Sequence, residues 1–264
     1  MGFNFRLVGA TGTHKGDRAY QQDRVVLLSH PHANGCLLGV VADGMGGRSG
    51  GRKAADQVIL TAQQVFERFS PATDDPVKTL QRIVDEAHLV IRLIAVSSEQ
   101  EPHSTMAAFL VTPLGDCFWI HVGDSRIYHF HQGEMVYRTS DHSYVQSLVD
   151  RGAITADEAD SHPQSNILLS CLGTEADPPA AARSAGRLQP GDCIMACSDG
   201  LWHYVVQEEL AQALADAPVR DGVRSLTATA RRRARGGGDN LSIVVVRMEA
   251  SGAAPETAVP PGRT

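Results

Sequence analysis

The apolar positions of this chain fall into short dense runs separated by two long amphipathic stretches. Segments rich in Val, Ile, Leu and Phe, of strand length, occupy residues 5–9, 24–28, 36–42, 106–112, 117–122, 126–131, 135–138, 193–196 and 241–248. Two pairs of them are joined by loops of hairpin type, Pro113-Leu114-Gly115-Asp116 and His131-Gln132-Gly133-Glu134. Between the third and fourth runs the period changes. Residues 51–69 place Ala54, Val58, Leu60, Ala62, Val65 and Phe69 on a potential buried face. A second helix opens at Asp75-Pro76, an N-cap followed by proline at the first helical position, and continues through Leu80, Ile83, Val84, Ala87, Val90, Ile91 and Ile94. Further helices are expected at 143–151, 208–215 and 219–233, and Thr155–Glu158 has the spacing of a capping box. Strands come in runs and helices in pairs. That order predicts an α+β fold with largely antiparallel sheets, not a doubly wound parallel sheet.

Composition narrows the class without naming it. The chain has 264 residues, 42% of them hydrophobic and 20% charged, with a net charge of −6. No global basic field argues for nucleic acid. No run approaches the roughly 18 apolar residues of a membrane span, and the N-terminal stretch lacks a signal-peptide core. Gly2 follows Met1, but Arg6 breaks the myristoylation pattern. Cys36, Cys117, Cys171, Cys193 and Cys197 form no CxxC pair, and four of them sit in or beside apolar strands. Buried, reduced thiols in a cytoplasmic protein are the expectation, and a zinc site is not. One domain over residues 1–249 is expected, as a monomer. The Ala/Pro/Gly-rich residues 250–264 read as a disordered tail.

The informative polar positions are aspartates at strand ends. The run 36–42 ends in Asp43-Gly44, 193–197 ends in Ser198-Asp199-Gly200, and 117–122 ends in Gly123-Asp124. At the opposite polarity, Asp23 immediately precedes the run 24–28 and Asp239-Asn240 precedes 241–248. Gathered in one place, such carboxylates repel one another, and a hard divalent cation removes that repulsion. Mg²⁺ and Mn²⁺ favour oxygen ligands, and two of them about 4 Å apart can share a hydroxide for in-line attack. Turn chemistry serves any single Asp-Gly pair equally well. Spacing alone does not bring the five together.

Read in order, these segments resemble the PPM/PP2C family of metal-dependent protein phosphatases, in its bacterial form. The matching pieces are Gly16-Asp-Arg18-Ala-Tyr-Gln-Gln22-Asp23, Val41-Ala-Asp43-Gly-Met-Gly-Gly47, His121-Val-Gly-Asp124-Ser-Arg126-Ile-Tyr128, Asp141-His142-Ser143, Leu172-Gly173, Cys197-Ser-Asp199-Gly-Leu-Trp202 and Gly238-Asp239-Asn240-Leu-Ser242. They span about residues 8–247. The resemblance implies a four-layer α-β-β-α sandwich, two sheets flanked by helix pairs, with a binuclear Mn²⁺ or Mg²⁺ site at one end. It implies that Asp43 bridges both metals, that the Gly44 carbonyl ligates one, and that Asp199 and Asp239 complete one shell. Asp23 then holds the other metal directly or through water, and Asp124 shares a third, weaker site with Asp199. Arg18 matches the phosphate-binding arginine, whose fork suits two phosphoryl oxygens. Residues 147–166 match the family's flap. Phosphorylated proteins, a Ser/Thr kinase and its targets are the implied partners.

Three positions depart from the family pattern. Gln21 stands where Asn is usual, and Gln22 where some relatives carry a carboxylate, so weaker binding of one metal is expected. Met45 stands where some members have a histidine thought to protonate the leaving group. His121 and His142 are the substitutes to examine, although a structural role is the commoner fate of a lone histidine. No cysteine is followed by the Cys-x5-Arg signature, which argues against cysteine-dependent phosphatase chemistry. The rival readings are a non-catalytic phosphatase-like sensor domain and a hydrolase of small phosphoesters.

Overall fold

A computed structural model describes residues 5–96, 101–160, 162–215 and 217–251. Its strands are β1 (Phe5–His14), β2 (Arg24–Ser29), β3 (Leu37–Ala42), β4 (Gly44–Met45), β5 (His103–Ser104), β6 (Met106–Val111), β7 (Asp116–Val122), β8 (Arg126–His131), β9 (Glu134–Arg138), β10 (Arg183–Arg187), β11 (Asp192–Cys197) and β12 (Leu241–Ala250). Its helices are α1 (Gly47–Arg68), α2 (Pro76–Val96), α3 (Tyr144–Asp150), α4 (Ala156–Asp160), α5 (Asp199–Trp202), α6 (Gln207–Ala215) and α7 (Val219–Ala234).

Two five-stranded sheets run β1-β12-β11-β8-β9 and β10-β7-β6-β3-β2, every pairing antiparallel. The alternation of side chains along the strands divides the interior into three cores. Leu38, Val40, Met106, Ala108 and Leu110 face α1 and α2. Val41, Ala107, Phe109, Ile194, Ala196, Val244 and Val246 meet between the sheets. Cys193, Met195, Ile243 and Val245 face α6 and α7. Both faces of the central strands are therefore covered. That is why 36–42 and 193–197 read as unbroken apolar runs and not as alternating ones. The four-layer α-β-β-α sandwich follows directly.

Local signals settled many of the ends. Asp75 Oδ1 accepts the Val77 N–H at 2.8 Å, capping α2 ahead of Pro76. Thr155 and Glu158 bond reciprocally, Glu158 Oε2 accepting the Thr155 N–H at 2.7 Å and Thr155 Oγ1 accepting the Glu158 N–H at 3.2 Å. Gln132 and Gly133 both have positive φ, 49° and 84°, as a tight primed hairpin between β8 and β9 requires.

The structure also corrects the reading. β1 continues to His14 instead of stopping at Gly9, because β12 pairs with it over its whole length. α1 begins at Gly47, four residues earlier than expected. β10 was not anticipated: Arg183–Arg187 is a mostly exposed edge strand, and only the neighbouring β7 makes it one. Of the proposed tail, Ala250 closes β12, and residues 252–264 lie outside the described residues. All five cysteines are free and buried.

Candidate metal centre

The strand registers bring the aspartates together before any side chain is considered. In one sheet Arg24 pairs with Ala42, Val41 with Ala107 and Met106 with Val122, so Asp23, Asp43 and Asp124 emerge at the same end. In the other, Cys197 pairs with both Arg126 and Ile243, and Leu241 pairs with His14, so Asp199, Asp239 and the loop after β1 share one end. Hydrogen bonds join the two ends across the sandwich. Ser198 Oγ donates to Asp23 Oδ2 at 2.7 Å and accepts the Ser242 N–H at 2.9 Å. Asn240 Oδ1 accepts the Gln22 N–H at 2.6 Å, while its Nδ2 donates to the carbonyls of Lys15 and Tyr20. Asn240 thereby holds three points of the loop that carries Arg18 and Asp23.

The electrostatics are those of crowded acids. Burial, reinforced by Asp23, Asp199, Asp124 and Asp239, holds the Asp43 carboxyl well above the usual range. Burial, with Asp124, Asp239 and Asp23 adding to it, does the same to Asp199. Desolvation pushes Asp23 up to about 6 against the bonds that it accepts. Desolvation first and Asp141 second push Asp124 up to about 7. Asp23 Oδ1 and Asp199 Oδ1 are buried and receive no hydrogen bond. A buried carboxylate oxygen without a donor is costly. Two of them within one cluster of oxygen donors fit a hard divalent cation, and no sulfur or imidazole ligand is needed.

Among the described residues, no three His, Cys, Asp or Glu side chains are drawn tightly enough to grip one cation as they stand. Asp239 accounts for part of this. Its Oδ2 is ion-paired with Arg18 Nη2, and its Oδ1 accepts the Asn240 N–H at 2.7 Å. Arg18 is itself 62% exposed, at the rim of the cluster, where an incoming anion could compete for its guanidinium. Gly44 lies so close to the Gly51 carbonyl that a side chain there would collide with backbone.

Sequence reasoning did not single out the residues that hold these loops. Thr105 Oγ1 accepts the Asp43 N–H at 3.0 Å and lies 2.6 Å from Ser125 Oγ, and the Ser104 hydroxyl donates to the Asp43 carbonyl at 3.1 Å. Arg126 makes a two-pronged pair with Asp141 at 2.8 and 2.7 Å, both side chains largely buried. Its guanidinium lies 3.5 Å from the Trp202 ring centroid, and Trp202 Nε1 donates to the Asp124 carbonyl at 3.0 Å. Trp202 thus anchors the Asp124 loop. Small Ser and Thr residues carry no periodic signal. The only hint was Ser125 directly after Asp124; Ser104 and Thr105 have no aspartate beside them in sequence.

The two histidines are settled by their surroundings. His142 Nδ1 accepts the Gly123 N–H at 3.3 Å, and burial followed by the neighbouring His121 pulls its pKa down to about 4. His121 stacks on it at 4.5 Å between centroids and is lowered by burial as well. Both are neutral near pH 7, so neither stores a proton for a leaving group. Gln21 Nε2 donates to Thr13 Oγ1 at 2.7 Å and Gln22 Nε2 to the Gly47 carbonyl at 2.8 Å, so both departures act as loop fasteners.

Residues 11–235 match the protein phosphatase 2C family profile. The chain belongs to the protein phosphatase 2C family. A curated relative, the serine/threonine protein phosphatase PstP of Mycobacterium tuberculosis, is 35% identical over 219 residues, covering 80% of this chain and 40% of its own length. The chain thus spans well under half of that relative. A putative protein phosphatase 2C-type protein of Streptococcus pyogenes is 31% identical and is covered over 87% of its length. Among solved structures, M. tuberculosis PstP superposes with a TM-score of 0.80 at 31% identity, over 92% of this chain and 99% of that one. A PstP catalytic domain in complex with two manganese ions gives 0.78 at 29% identity, over 93% and 99%. These family members share the two antiparallel sheets with flanking helices described above.

Proposed function

We propose that this chain is a Mn²⁺- or Mg²⁺-dependent phosphatase that hydrolyses phosphoserine and phosphothreonine in proteins and opposes a Ser/Thr kinase. The observation that carries this reading is the meeting of five aspartates from two sheets, two with buried unpartnered oxygens, beside an exposed arginine. In this reading Asp43 would serve two cations and the Gly44 carbonyl would ligate one of them. Asp199 and Asp239 would complete the shell of one, Asp23 would hold the other directly or through water, and Asp124 with Asp199 would form a weaker third site. Such cations act as Lewis acids and make a water-derived nucleophile available at neutral pH.

The chain's own residues do the rest. Arg18 exchanges Asp239 for two phosphoryl oxygens and orients the phosphate. Ser198 and Asn240 keep Asp23 and the Arg18 loop in register with the other sheet. Met45, beside Asp43, brings no proton to the departing alkoxide. Residues 147–166, with α3 and α4, border the Asp141–Ser143 loop and would shape substrate entry. No helix among the described residues is long and apolar enough to cross a membrane. A cytoplasmic monomer acting on phosphorylated proteins is part of this proposal.

The test is Mn²⁺-dependent release of phosphate from a phosphothreonine peptide. Wild-type protein should turn over, and Asp43→Asn and Asp199→Asn should each lose at least a hundredfold in kcat/KM. An inactive wild type across Mn²⁺ and Mg²⁺ sinks the enzymatic reading, and full activity in both variants sinks the site.

A further inference from the structure

A groove of about 470 Å³ runs between β1 and α7, away from the aspartate cluster. Thr11, Thr13 and His14 line one wall, and Arg220, Arg224 and Arg231 line the other. No Asp or Glu lines it. In a chain of net charge −6 that is a local inversion of sign. The three arginines stand at i, i+4 and i+11 on α7, one face of the helix. Their states differ. Arg231 is clamped by Asp17 at 2.9 and 2.8 Å. Arg224 makes a single exposed contact with Asp221 at 3.4 Å. Arg220 is exposed and has no ion-pair partner among the described residues. Arg231 and Arg233, in the basic run 231–233, are used internally, on Asp17 and Glu209, and the free charge lies about two to three turns back along α7.

At its Arg231 end the groove is tied by hydrogen bonds to the loops that carry Arg18 and Asp239. Asp17, which Arg231 grips, also accepts the Gly238 N–H at 2.8 Å and directly precedes Arg18. Gly238 directly precedes Asp239. β1 ends its sheet, so its outer edge offers main-chain groups to an extended peptide. From Arg231 to Arg220 the helix rises about 16 Å, the span of roughly five extended residues.

The geometry points to the β1–α7 groove as a docking site for an acidic segment of the phosphoprotein substrate, read by Arg220 and Arg224. This deepens the proposed function and rests on it. Acidic residues roughly five to eight positions from the phosphoresidue reach these arginines when the phosphate lies at Arg18. Exposed charge pairs contribute little individually and are screened by salt, so the groove tunes KM and not the chemical step.

The experiment compares wild type with an Arg220→Glu/Arg224→Glu double variant on three substrates: a phosphothreonine peptide with an acidic block at that distance, the same peptide with the block changed to alanine, and p-nitrophenyl phosphate. The double variant should raise KM for the acidic peptide about tenfold at low salt, with kcat within twofold. The alanine peptide and p-nitrophenyl phosphate should be unaffected, and Arg→Lys changes should keep most of the preference. Equal KM changes on both peptides, or none on either, overturn the proposal. Failure of the phosphatase reading shows differently, as no turnover of any substrate. Anisotropy with the unphosphorylated acidic peptide then decides the groove: saturable binding lost in the double variant supports it, and no binding overturns it. Groove-dependent binding of an RNA oligonucleotide or of anionic vesicles, without binding of the peptide, also overturns it.

Discussion

Replacing Arg126 with methionine should cost this fold more than any exposed ion pair could. Arg126 Nε and Nη2 donate to both oxygens of Asp141 at 2.8 and 2.7 Å, and the two side chains are only 11% and 7% exposed. Removing one partner of a buried pair leaves an uncompensated charge, at about 3–5 kcal/mol. Methionine keeps much of the apolar contact but gives up the cation's interaction with Trp202, a further ~1 kcal/mol. For a domain of this size, 4 kcal/mol lowers Tm by roughly 8–16 °C. Most of that penalty belongs to the stranded Asp141 carboxylate. The Arg126→Met/Asp141→Asn double variant should therefore return to within about 2 kcal/mol of wild type. Urea unfolding followed by far-UV circular dichroism, in chelator so that metal binding does not intrude, measures all three proteins. A single variant within 1 kcal/mol of wild type, or a double variant worse than the single, would refute the reasoning.

Other consequences follow from the same geometry. Burial pushes the carboxyls of Asp23 and Asp124 up to about 6 and about 7 from the ordinary 3.8, so without metal both bind protons more tightly folded than unfolded. Their folded pKa values are raised, so the stability that they confer is present at low pH and lost as pH rises through 6 to 7. Chelated protein should melt higher at pH 5 than at pH 8, and saturating Mn²⁺ should narrow that gap. Asn240→Ala removes one accepted and two donated hydrogen bonds of the Arg18 loop, so a loss of about 2–3 kcal/mol in stability is expected. Its KM for phosphopeptide should rise more than its kcat falls, and an unchanged KM would argue against Asn240 as the fastener of that loop.

The parts of this molecule that were legible in the sequence are those that repeat or cap. Unbroken apolar runs located the central strands and period-3.6 stretches the α1–α2 pair, and Asp75-Pro76 and Thr155–Glu158 marked helix starts that the structure uses. β10 was hidden because Arg-Ser-Ala-Gly-Arg has no apolar rhythm, and the C-terminal third of β1 because Thr11–His14 is polar and edge-exposed. Residue types beside strand ends suggested the aspartates. Their convergence depends on register between strands that are up to two hundred residues apart, which no local pattern encodes. Ser198, Thr105 and Asn240 act through side-chain hydrogen bonds to partners distant in sequence. Only the folded neighbourhood reveals that.

Asp23, Asp43 and Asp124 ride on one sheet, and Asp199, Asp239 and Arg18 on the other. The gap that the proposed cation pair would fill is therefore set by how thickly Val41, Phe109, Ile194 and Val244 fill the space between the layers. The inter-sheet core works as the jaw spacing of a calliper. A methylene added or removed there, far from any carboxylate, would reset the opening at the tip and with it the preference between a smaller and a larger metal ion.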